Sequence, residues 1–95
     1  MSQCDVKIPP QSLVAEKAIL SLCLSNNKVI DAALKKIDAT DFYHTKNKIM
    51  FETMTTLRKR NEPVDLVTLI DELEKNKKID DIGGSAYICQ VSDVI

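Results

Sequence analysis

The sequence predicts an all-α fold, a compact bundle of about five short helices, on three observations. Apolar residues make up 44% of the chain, but only 4% are aromatic and none is Trp, so the core must be built from Leu, Ile, Val, Ala and Met. Only 2 Gly and 3 Pro occur in 95 residues, too few to mark the many turns of a sheet. Apolar positions also recur at helical spacing along most of the chain. A chain this long has room for one domain and one core, burying about two thirds of its unfolded surface.

Residues 1–11 contain Pro9-Pro10 and little periodicity, and are expected to form an extended lead-in that delays the first helix. Residues 12–95 form the helical domain. Ser12 is placed to cap the first helix, in which Ala15, Ile19, Leu22 and Cys23 follow one helical stripe while Leu20 and Leu24 make a second side apolar. A helix apolar on most sides belongs in the middle of a bundle. After Asn26-Asn27, a short second helix carries Val29, Ile30, Ala33, Leu34 and Ile37, with Asp31 and Lys35 paired on its outer face. Asp38 to Tyr43 is a connector in which Phe42 plugs the core and the Tyr43 hydroxyl seeks a polar partner.

The third helix starts near Thr45, buries Met50, Phe51, Met54 and Leu57, and stops at Asn61-Glu62-Pro63. Asp65 caps the fourth, with Val64 and Leu69 as a hydrophobic staple and Leu66, Leu69, Ile70 and Leu73 on the buried stripe. Asp71, Glu72 and Glu74, with Lys75 and Lys78, are assigned to its solvated face. Gly83-Gly84 then precedes a fifth helix carrying Ala86, Tyr87, Ile88 and Val91. The chain ends at Val94-Ile95 without a stop signal, the pattern expected of a piece of a longer protein.

The chain has 13 basic and 14 acidic residues, a net charge of -1, and so no long-range field to draw it to DNA or an anionic membrane. The longest apolar stretch, Ala18 to Leu24, is far below the roughly 20 residues of a membrane span, and no signal peptide is recognisable. Cys4, Cys23 and Cys89 are widely spaced and odd in number, which suits reduced cytoplasmic thiols, with Cys23 and Cys89 in the core.

No catalytic, cofactor or metal site is expected. Gly83-Gly84 lacks the Lys-Ser or Lys-Thr of a phosphate loop. His44, the one histidine, has no Cys or Ser at a recognisable spacing and reads as a capping or surface residue. Arg58-Lys59-Arg60 and Lys75, Lys77, Lys78 sit at helix C-termini, where cations complement the helix dipole, so direct contact with nucleic acid is not expected. Tyr87 is open at this level, as a core residue or a contact surface.

Five segments, in order, resemble the N-terminal domain of DnaB-type replicative DNA helicases. They are Pro9-Pro10-Gln11-Ser12 with Ala15-Glu16, Asp41-Phe42-Tyr43, Ile49 with Phe51 to Met54, Pro63-Val64-Asp65-Leu66-Val67-Thr68, and Gly83-Gly84-Ser85-Ala86-Tyr87-Ile88. Val14 and Lys17 depart from the pattern, at positions often acidic and often Gln. The resemblance implies a helical head followed by a helical hairpin and a RecA-like motor, with this chain stopping where the hairpin begins. It implies a collar of such domains on a hexamer, docking of primase and of a helicase loader, and ATP and Mg bound only by the absent motor. With the hairpin missing after Ile95, the last helix is expected to expose Tyr87, Ile88 and Val91 as a protein interface. The readings set against this one are a small helical DNA-binding regulator, which needs a basic recognition helix, and the helicase-binding domain of a primase, similar in fold but not in these motifs.

Overall fold

In the computed structural model, which describes residues 12–93, the Ser12 hydroxyl accepts the Ala15 N–H at 3.3 Å and opens α1 (Leu13–Ser25). The expected lead-in, residues 1–11, and the terminal Val94-Ile95 lie outside the described residues. The buried face of α1 consists of Glu16, Leu20, Ser21 and Cys23, whereas Leu22 is 42% exposed. Of the four residues assigned to the core stripe only Cys23 is fully inside, because α2, α3 and α5 pack against the face that carries Glu16, Leu20 and Cys23.

Asn26 ends α1 by turning extended, and its side-chain oxygen accepts the Lys28 N–H at 2.8 Å to start α2 (Asn27–Ala33). Ile30 and Ile37 are buried; Val29, Ala33 and Leu34 are half-buried. Asp31 is held by α3 through a two-pronged Arg58 guanidinium, at 2.8 and 2.9 Å, and Lys35 acts on it only through space. Asp38 and Asp41 then form a reciprocal cap around a 3₁₀ turn, Ala39–Asp41. That turn delivers Phe42 into the core, where its ring meets Phe51 at 5.0 Å between centroids.

The central element is α3 (Thr45–Lys59), which packs against α1, both 3₁₀ turns and α4, and buries Met50, Phe51, Met54 and Leu57 as expected. It ends with Asn61 at φ 61, where the Glu62 N–H reaches back to the Leu57 carbonyl at 2.9 Å. This is a Schellman closure with Asn in the left-handed position. Asp65 and Thr68 cap α4 (Leu66–Lys75) reciprocally, while Val64 and Leu69 are both buried, as a staple requires. The same closure recurs at its end with Lys77 at φ 58 and the Lys78 N–H on the Leu73 carbonyl.

One assignment on α4 is corrected. Glu72, placed on the wet face, is 5% exposed, and its carboxylate accepts Arg60 Nη2 at 2.7 Å and Asn76 Nδ2 at 3.2 Å. The acidic residue next to Leu73 faces the C-terminal end of α3, where Arg60 waits. A second 3₁₀ turn, Asp80–Ile82, leads through Gly83 (φ 91) and Gly84 (φ 78), conformations that side-chain-bearing residues rarely adopt, into α5 (Ser85–Ser92).

Denaturation of single variants checks these assignments. Leu69→Ala should cost about 2–5 kcal/mol, and Glu72→Ala more than the roughly 0.5 kcal/mol of an ordinary surface site. Lys77→Gly should instead stabilise the protein by roughly 0.5–1 kcal/mol, because it relieves a left-handed backbone. A neutral Glu72→Ala would place that carboxylate back in solvent.

Candidate functional site

A buried polar centre lies at the start of α3. His44 occupies the N-cap position but its side chain makes no capping bond, so the backbone entering the helix has no side-chain acceptor of its own there. Glu16 supplies one from α1. Its carboxylate, 0% exposed, accepts the Tyr43 N–H at 2.6 Å, the His44 N–H at 3.3 Å and the Asn47 side-chain N–H at 2.7 Å, and His44 Nδ1 lies 3.1 Å away. The negative charge also sits at the positive end of the α3 dipole. Asn47 is itself buried, and its oxygen accepts the Tyr87 hydroxyl from α5 at 2.5 Å.

Burial alone would raise the Glu16 pKa, but the Asn47, Tyr43 and His44 donors together hold it below its ordinary value of 4.5. Tyr87 is pushed the other way, by burial and by the nearby Glu16 charge, with the Asn47 bond opposing. Lys17 and Lys46 hold their ammonium groups 5.4 and 5.1 Å from the Tyr87 ring centroid, so the ring is enclosed by cations as well as by core.

The residues expected to form an interface are placed differently from that expectation. Tyr87 is 8% exposed, and Ile88 and Val91 are fully buried, because α5 packs between α1 and α4 and turns these three side chains inward. In this head they are core, and the expected uncovered face is absent from α5. Cys89, assigned to the core, lies on the opposite, exposed side of α5, while Cys23 is buried and its thiol is pushed up to about 12 by desolvation. Tyr43 is 56% exposed and contributes its backbone N–H to Glu16; its ring sits edge-on to His44.

The basic cluster at the end of α3 does more than complement a dipole. Arg58 is committed to Asp31 and the Glu62 carbonyl, and Arg60 to Glu62 and Glu72. Among the described residues no group of three or more His, Cys, Asp or Glu could hold a metal ion, and no helix is long and apolar enough to cross a membrane.

Two of the surface depressions bear on function. One of about 520 Å³ between the first 3₁₀ turn and α3 is lined by side chains of both signs, including Asp38, Glu52, Lys59 and Lys78. The other, of about 230 Å³, is a trough formed by Ile19 and Leu22 of α1 and Val29, Ala32 and Ala33 of α2, with Lys36 at its edge. The sequence carried a signal for this trough, since Ile19 and Leu22 belong to the apolar stripe assigned to the core.

With this geometry in hand, comparison with known proteins is consistent. The model of the DnaB-like helicase N terminal domain matches residues 8–95. The replicative DNA helicase DnaB of Geobacillus stearothermophilus is 34% identical over 89 residues, covering 94% of this chain and 20% of that protein. That of Haemophilus influenzae is also 34% identical, covering 94% and 19%. The crystal structure of the N-terminal domain of DnaB helicase from Mycobacterium tuberculosis superposes with a TM-score of 0.86 at 30% identity, over 93% of this chain and 61% of that one. The chain thus spans about a fifth of the length of these relatives.

The Glu16 centre makes two expectations. Glu16→Gln should destabilise by roughly 2–3 kcal/mol at neutral pH, since a neutral amide, itself carrying donors, cannot replace a carboxylate that accepts three N–H groups. The depressed folded pKa means that the wild-type carboxylate stabilises fully above its unfolded value near 4.5 and loses that contribution as pH falls through the lower folded value. The gap between wild type and Glu16→Gln should therefore narrow in acid, as urea titrations at neutral and acidic pH would show; a constant gap would remove the carboxylate from the account. Tyr87→Phe should cost about 1 kcal/mol and Tyr87→Ala about 3–5 kcal/mol, as for core residues.

Proposed function

From the premise that the chain belongs to the DnaB-like helicase N-terminal domain family, we propose that it is a non-catalytic docking head of a replicative DNA helicase. In this reading it takes part in the collar of a hexamer and offers surfaces to primase and to a helicase loader. ATP and Mg are bound by the motor that follows in the parent, in the bacterial cytoplasm, and DNA is translocated there.

The observation that carries this reading is how the polar motif residues are used. Glu16 and Tyr87 are joined through Asn47 inside the head, so their chemistry is structural. What remains to meet a partner is the outside of the helices. A DNA-binding regulator is the less favoured alternative, because Arg58 and Arg60 are engaged by Asp31, Glu62 and Glu72 and so have less charge to offer phosphates.

Calorimetric titration of the 95-residue chain with Mg-ATP, and with duplex and single-stranded oligonucleotides, is expected to give no saturable heat. The chain extended through the following hairpin is expected to bind primase. Low-micromolar ATP affinity, or DNA binding that weakens steeply with salt, would reverse the reading.

A further inference from the structure

The α1/α2 trough is apolar yet open. Its walls are Ile19 and Leu22 on one side and Val29, Ala32 and Ala33 on the other, and no residue of α3, α4 or α5 lines it. At about 230 Å³ it lies below the roughly 300–1,000 Å³ of pockets that enclose small molecules, and it suits a few aliphatic side chains projecting from a helix.

The charges around it narrow the choice of occupant. Lys28 on α2 and Lys35 in the turn that follows it are both exposed, four residues before and three after Ala32, and Lys36 borders the trough. The acid on this helix, Asp31, is drawn towards α3 by Arg58. On a chain of net charge -1 this is a locally basic rim around an apolar floor. Its complement is an amphipathic helix with aliphatic anchors one turn apart and Asp or Glu on the flanks.

A second copy of the head does not supply that helix. The exposed acids of its longer outer helices, Glu52 on α3 and Asp71 and Glu74 on α4, flank no exposed apolar stripe: Val67 is the one exposed large apolar residue there, and Leu69 and Leu73 are buried in their own core. Five small or medium apolar residues also fall well short of the roughly 800 Å² per partner of a stable interface, which suits one docked helix better than a head-to-head dimer.

We propose that the trough between α1 and α2 is a docking site for an acidic amphipathic helix of a partner protein. The proposal rests on the docking-head reading and names the surface and the chemistry of what it takes.

The test uses two synthetic stapled helices with the same Leu stripe, one flanked by Glu and the other by Lys, titrated into the isotope-labelled chain. The Glu peptide should shift the amides of Ile19, Leu22, Val29 and Ala32 and bind at least tenfold more tightly than the Lys peptide. Ala32→Glu, at an exposed site, should weaken it at least tenfold without changing the melting temperature, with Leu22→Gln as an independent check. Lys28→Glu with Lys35→Glu should invert the preference. Equal affinity for both peptides, shifts confined to other surfaces, or no saturable binding would overturn the proposal. So would a concentration-dependent dimer in light scattering that Ala32→Glu abolishes, since a second copy would then be the occupant. Primase binding by the extended chain is a separate readout, so failure of the trough and failure of the docking head are distinguishable.

Discussion

A carboxylate fully removed from water is ordinarily a liability, and here the arrangement of the head depends on one. Glu16 is tolerated because α3 begins without a cap of its own, so the charge meets backbone donors, an amide and an oriented helix dipole in one place. Each side needs the other: without Glu16 the Tyr43 and His44 N–H groups lose their acceptor, and without α3 the carboxylate has no reason to stay buried. Asn47 carries the constraint on to Tyr87, so α1, α3 and α5 are fixed in register by directional bonds rather than by apolar contact alone. Hydrophobic burial supplies most of the driving force, and this network selects one packing among the many that a core of Leu, Ile and Met would accept.

Much of the fold was legible because its signals are local. Asp65 as a cap, Asn61 as a stop, Phe42 as a plug and the Met50-Phe51-Met54-Leu57 face all rest on residues within a few positions of one another. The errors share a different cause. Glu16 reaches partners 27–31 residues away and Glu72 one 12 residues away, and no periodicity reports such distances. The phase of α1 was misjudged because a helix apolar on two sides offers two equally good stripes, and spacing alone does not say which one the bundle covers. The same ambiguity hid the trough. Tyr87, Ile88 and Val91 were expected at a surface from the position of α5 near the chain end; α5 is instead packed by α1 and α4, which the order of elements alone does not reveal.

The head separates two tasks by depth. Glu16 and Tyr87, from the family-like segments, lie inside and are joined through Asn47, while the outer faces of α1 and α2 combine open apolar surface with unburied lysines. An interior specified this tightly allows the exterior to vary. Val14, which departs from the usual family pattern, is 76% exposed, and changing it has little consequence for packing.

The span of the Glu16–Asn47–Tyr87 chain also sets a timetable. Its last bond joins residues 40 positions apart and its members run from the first helix to the last. During synthesis, α1 to α3 can emerge and collapse, but Asn47 has no hydroxyl to accept until α5 has left the ribosome. The interval between those events leaves a buried amide half-satisfied, which disfavours a stable partial head. A nascent chain stalled before Tyr87 would therefore hold Asn47 without its hydroxyl partner.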